Sequence, residues 1–149
     1  LGEHDFWGKH NTMHLATRVP LIIRTPGKRG GVTRSLVETS DLFPTLCALA
    51  DLPVPATVQG RSFADLLDAP AKPFRDVAYC RYGSGDAVIT DRFSYTSYNG
   101  GRSEMLYDLE RDPDENVNVA GNPENADTVS KMTKKLKQRQ AEADAAMAD

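Results

Sequence analysis

Phe93-Ser94-Tyr95-Thr96-Ser97-Tyr98-Asn99-Gly100-Gly101, followed three residues later by Met105-Leu106-Tyr107-Asp108-Leu109, is the stretch on which the fold turns. Phe93 and Tyr95 put aromatics on alternate positions, the period-2 pattern of a strand with one packed face. Asn-Gly-Gly supplies residues that tolerate positive φ, which a tight hairpin turn needs, so 105–109 is expected to return as the antiparallel partner. Working outward, Asp76 to Tyr82 and the short apolar run Ala87 to Thr90 read as two further strands. After Asn122-Pro123 a long helix is predicted, with Val129, Met132 and Leu136 as a thin apolar stripe and an Ala, Glu and Asp-rich last dozen residues expected to fray. Upstream, Asp68-Ala69-Pro70-Ala71-Lys72-Pro73 marks a joint. Before it, a short helix is expected over Ser62 to Leu67. A longer one opens at Ser40 as N-cap, with Leu42, Phe43, Leu46, Cys47, Leu49 and Ala50 on its packed face. Val19-Pro20-Leu21-Ile22-Ile23-Arg24, closed by Thr25-Pro26-Gly27, suits a buried strand of a parallel sheet. The order is an α/β piece over residues 1–70, then a small α+β piece over 71–149.

The chain has 149 residues, 40% apolar and 26% charged, an ordinary globular composition long enough to bury a core. A net charge of -3 argues against a general nucleic-acid binder. The charge is uneven: residues 1–39 carry six Lys and Arg against three acids, whereas 104–127 carry eight acids against Arg111 alone. A basic front suits an anionic ligand. No run of eighteen apolar residues is present, so no membrane span is expected. The first residues carry neither Met nor a signal-peptide pattern and are not expected to be a natural start.

Two cysteines, Cys47 and Cys80, make no disulfide framework and read as small buried hydrophobes. His10 and His14 stand four apart, but Asn11 occupies the place of the Glu in a H-E-x-x-H zinc motif, so a hydrogen-bonded structural role is preferred. Asp108, Glu110, Asp112 and Asp114 alternate like a calcium loop, yet Pro113 and Val119 stand where such a loop needs Gly and Glu. A solvated acidic turn is expected there. The glycines around Gly27 lack P-loop spacing, and no G-x-S-x-G elbow occurs. The residues offer cations and imidazoles for an anion, and no evident nucleophile.

Glu3-His4-Asp5-Phe6-Trp7-Gly8-Lys9-His10, then Ala16-Thr17-Arg18-Val19-Pro20-Leu21-Ile22 and Pro26-Gly27, resembles the later part of a type I sulfatase of the iduronate-2-sulfatase-like and choline-sulfatase-like branch. Val37-Glu38 with Asp41-Leu42-Phe43-Pro44-Thr45-Leu46, Gly60-Arg61-Ser62-Phe63, and Leu106-Tyr107-Asp108-Leu109-Glu110 with Asp112-Pro113 and Glu115 match later landmarks in order. The resemblance implies an alkaline-phosphatase-like α/β fold ending in a small antiparallel sheet with a long packing helix. It also implies hydrolysis of a sulfate monoester, of a small molecule or a carbohydrate, by a formylglycine nucleophile beside calcium. The family's nucleophile arises within a C/S-x-P-x-R motif, and neither Cys47 nor Cys80 lies in one. The resemblance implies that the family's metal-binding Asp-His pair lies just upstream of Leu1, with the remainder of the catalytic domain, so no metal ligand is expected here. Lys9 matches the lysine that contacts the substrate sulfate, and His10 is the candidate to hydrogen-bond substrate or leaving-group oxygen. Arg18 is expected to pair with a carboxylate. The family is often exported. The alternatives are a related phosphodiester or phosphonate hydrolase, and a non-catalytic anion-binding module.

Overall fold

A computed structural model describes residues 2–146. The chain divides into two compact units, one of the residues up to 20 together with 79–139, the other of 21–78 together with those from 140 on.

In the first unit the hairpin forms as its residues require. β3 (Phe93–Tyr98) pairs antiparallel with β4 (Ser103–Asp108), Tyr95 opposite Leu106 and Tyr98 opposite Ser103. Asn99, Gly100 and Gly101 all take positive φ in the connecting turn, where L residues with a Cβ are strained. β1 (Ala78–Tyr82) and β2 (Gly85–Ile89) complete a meander in the order β1-β2-β3-β4. The sheet is covered on both faces. Tyr95 sends its hydroxyl to Thr133 of α3 (Ala126–Ala145) and to Glu104, and burial with the nearby carboxylate pushes its pKa up to about 12. On the opposite face the Thr96 and Tyr98 hydroxyls meet Thr12, from the start of the chain.

α3 buries Met132 and Leu136 and remains helical to Ala145 rather than fraying over its last dozen residues. Ala, Glu, Gln and Arg are strong helix formers, which is enough to carry the exposed end on. The last three residues of the expected frayed end lie outside the described residues. The 109–121 return covers the free edge of β4, with Leu106 N–H donating to Asn118 Oδ1 at 2.9 Å and Val119 N–H to the Leu106 carbonyl at 2.9 Å.

The second unit corrects the reading of the helix near residue 40. A 3₁₀ turn, Thr39–Asp41, leads into α2 (Leu42–Leu49). The cap is not Ser40: Glu38 and Asp41 each accept the other's backbone N–H through their carboxylates. Of the expected apolar stripe only Cys47 is buried, with Leu42 and Leu49 half-buried. Asp41, Pro44, Thr45 and Cys47 are buried while Phe43 and Leu46 are exposed. The reason lies far along the chain. Asp41 accepts Arg75 Nη2 at 2.7 and 2.8 Å and Arg61 N–H at 2.8 Å, and Thr45 Oγ1 accepts Phe63 N–H at 3.0 Å. A fully bonded carboxylate can face inward and take the helix's polar side with it. Gly60 makes the approach possible, because a Cβ there would lie 1.9 Å from the Ser40 carbonyl oxygen. The short helix beyond is a 3₁₀ turn, Ala64–Leu67, that buries Leu66, with Phe63 buried just before it.

Val19 to Ile23 is not a strand. No strand among the described residues pairs with it, and Ile22 is 92% exposed. Apolar β-formers become a strand only with a partner to take their N–H and C=O groups.

Candidate functional site

The Lys9 loop is built from backbone conformations that few residues accept. His4 and Asp5, in a three-residue 3₁₀ turn (Glu3–Asp5), both have φ near 55°, and Gly8 has φ 143°. A side chain at position 8 would be strained, which explains the glycine between Trp7 and Lys9. Trp7 is 81% exposed. Lys9 is exposed too, and no hydrogen bond or ion pair among the described residues engages its ammonium. His10 follows, exposed, its ring 5.7 Å from that of Tyr82 at the end of β1 and tilted by 34°.

Immediately after His10 the chain is fastened down. Asn11 Oδ1 accepts Met13 N–H at 2.9 Å, turning the chain into α1 (His14–Thr17). Thr12 is buried, its hydroxyl 3.0 Å from that of Thr96 and 3.2 Å from that of Tyr98. His14 N–H donates to Glu115 Oε2 at 2.6 Å. Burial lowers the His14 pKa below the usual imidazole value; the Glu115 charge opposes that shift and the Arg18 charge adds to it. Tyr107 is pushed up by burial and by the nearby Glu115 charge.

The expectations divide accordingly. Lys9 and His10 are consecutive residues on one exposed loop. His10 and His14 do not share a helix face, since α1 starts only at His14, and no group of three or more metal-ligand side chains occurs among the described residues. Arg18 is exposed and makes no ion pair among the described residues, contrary to expectation. The acidic turn is not simply solvated. Asp108 is held below the usual carboxylate range by Arg92, Asp112 accepts Val117 N–H at 2.8 Å, and Glu115 is buried. Cys47 is buried and Cys80 half-buried, and neither forms a disulfide. Sequence reasoning missed Thr12, Tyr82 and the part that Glu115 plays. Its spacing after Asp112-Pro113 was the available signal, and it did not say that the carboxylate faces inward.

With this arrangement in view, the relatives are informative. Residues 2–142 match the family model described as N-sulphoglucosamine sulphohydrolase, C-terminal. A Delta 4,5-hexuronate-2-O-sulfatase of Bacteroides thetaiotaomicron is 36% identical over 137 residues, covering 83% of this chain and 28% of the relative. An iduronate 2-sulfatase of Mus musculus is 31% identical over 149 residues, covering 83% of this chain and 22% of the relative. Among solved structures, a phosphonate monoester hydrolase from Silicibacter pomeroyi superposes with TM-score 0.81 at 23% identity, over 91% of this chain and 31% of the other, a likeness of fold. The chain spans less than a third of the length of these relatives. Its sheet and long helix are the end of the alkaline-phosphatase-like architecture expected. The loop of Trp7, Gly8 and Lys9, the Asp41 to Gly60 clamp and the Glu115 turn thus stand in the C-terminal portion of a sulfatase, and the chain belongs to the sulfatase family.

Proposed function

We propose that the chain is the segment of a sulfatase that brings a cation to the sulfate group of a sulfated sugar. The observation that carries this is the Lys9 loop, whose ammonium is exposed and unengaged while the residues behind it are buried and bonded. Lys9 offsets the negative charge that grows on the sulfuryl and bridging oxygens as the ester bond breaks. His10, its ring set against Tyr82, hydrogen-bonds substrate or the departing oxygen. The names of the hexuronate and iduronate sulfatases support a carbohydrate sulfate as the substrate class.

The residues described here do not fit a calcium site. Asp108 is engaged by Arg92, Asp112 by turn amides and Glu115 by the His14 amide, and no cluster of three ligands stands open among the described residues. On this proposal the calcium ligands, and the formylglycine for which the sequence holds no C/S-x-P-x-R motif, are assigned to other parts of the enzyme. Residues 1–70 complete its catalytic domain and 71–149 form the smaller subdomain. The exposed Val19, Leu21 and Ile22 support a segment of a larger fold over a stand-alone module.

The 149-residue chain is accordingly expected to show no turnover of a sulfate ester, with or without added calcium; robust hydrolysis would refute the assignment of the nucleophile elsewhere. In the complete enzyme, Lys9→Ala is expected to lower kcat/KM for sulfate esters about 10²- to 10³-fold, the scale for a charge-stabilising group. An unchanged value would remove Lys9 from the site.

A further inference from the structure

Glu115 is held where its backbone is least at ease. Its φ is 56°, a left-handed conformation that Gly or Asn would take with less strain, yet the position carries a long carboxylate that is only 1% exposed. One carboxylate oxygen accepts the His14 amide at 2.6 Å, and the other is buried without a hydrogen-bond partner among the described residues. A solvated turn residue would need neither the strain nor the burial. Two residues before His14, Thr12 is equally buried and locked to Thr96 and Tyr98 on β3. Lys9 lies only three residues before Thr12, a span of at most ~10 Å of extended chain. Fixing Thr12 and His14 therefore confines the region that the start of the Lys9 side chain can occupy.

We propose that Glu115 is a positioning residue: together with Thr12 it clamps the segment after His10 onto the four-stranded sheet and so sets where Lys9 meets the sulfate. This rests on the sulfatase reading above. The late acidic turn, 101 residues away in sequence from the amide it accepts, then acts on the reaction through Lys9 rather than by touching substrate.

The test has two arms. In the 149-residue chain, amide hydrogen exchange read by mass spectrometry should speed up about tenfold or more over residues 9–16 in Glu115→Ala, with β2 to β4 unchanged. Glu115→Gln should recover much of the protection, because the amide oxygen still accepts the His14 N–H. Thr12→Val, which exchanges the hydroxyl for a methyl and so breaks its contacts with Thr96 and Tyr98, should loosen the same residues even if Glu115→Ala fails to fold. In the complete enzyme, Glu115→Ala or Thr12→Val should lower kcat ~10- to 100-fold, as misplacement by about an ångström does. Neither should have a further effect once Lys9 is Ala. Unchanged exchange over 9–16 in the folded variants would overturn the clamp. An undiminished kcat, or a loss that persists in the Lys9→Ala background, would overturn its action through Lys9. A complete wild-type enzyme without sulfatase activity would overturn the functional reading instead, with the exchange result still deciding the clamp.

Discussion

Asp41 and Arg75 place opposite charges almost wholly out of water, with Glu38 2.7 Å from the other end of the guanidinium. Removing one member of such a group leaves the others buried and uncompensated, which typically costs 3–5 kcal/mol. Arg75→Ala is therefore expected to lower the unfolding free energy by about that amount in urea titrations, with a smaller added loss in an Asp41→Asn background. A loss below about 1 kcal/mol would mean that water reaches the pair. His14 makes a prediction in pH. Its pKa is lowered in the fold from the ordinary 6.5, so below that value the unfolded chain binds the proton more readily. The neutral ring's contribution is intact above pH ~6.5 and declines as pH falls toward the lowered folded value. Thermal midpoints measured from pH 7.5 to 5.5 should fall in the wild type, and more gently in His14→Gln. Parallel curves would assign the slope to other groups.

At the scale of elements, Gly60 shows how one small residue sets a helix's orientation. A Cβ would meet the Ser40 carbonyl at 1.9 Å and its carbon at 2.4 Å, backbone that cannot swing aside like a side chain. Gly60→Ala should destabilise the protein by about 1–3 kcal/mol through forced backbone shifts, seen as a lower urea midpoint. Gly27→Ala serves as the contrast, since its positive φ is strained but nothing lies within 4 Å. The α2 cap and buried face were not legible in the sequence because their cause, Arg75, stands 34 residues from Asp41. A periodicity argument weighs only neighbours. For the same reason the turn before β4 and the strands beside it were legible: alternation and Asn-Gly-Gly are local instructions, and the paired strands obey them. Lys9 and His10 are candidates through the family pattern around Trp7 and Gly8. Thr12 was not singled out, and Glu115 was named only as part of a landmark, since what each does depends on partners more than eighty residues away.

For the whole molecule, the decisive contrast is between apolar residues that the chain buries and those that it leaves in water. Val88, Tyr95, Leu106 and Leu136 are buried, whereas Val19, Leu21, Ile22 and Val32 are exposed, Ile22 and Val32 almost completely. An isolated exposed Leu or Ile is ordinary, but Leu21, Ile22 and Val32 within twelve residues of one unit are more exposed apolar side chains than a stretch that stays in water needs. On the proposed reading this segment meets other parts of a sulfatase, so its cost depends on context. Ile22→Lys in the 149-residue chain should leave the unfolding free energy within about 0.5 kcal/mol, because the side chain gives up no burial. It should also reduce binding of a hydrophobic dye and concentration-dependent association. Leu136→Ala, by comparison, should cost about 2–5 kcal/mol, since it opens a cavity beneath α3. In the complete enzyme the order should change. Ile22→Lys would then bury an unpaired ammonium where an apolar side chain belongs, and the thermal midpoint should fall clearly. Equal tolerance of Ile22→Lys in both settings would place that residue in water throughout, and with it the stand-alone module would become the better account of the chain.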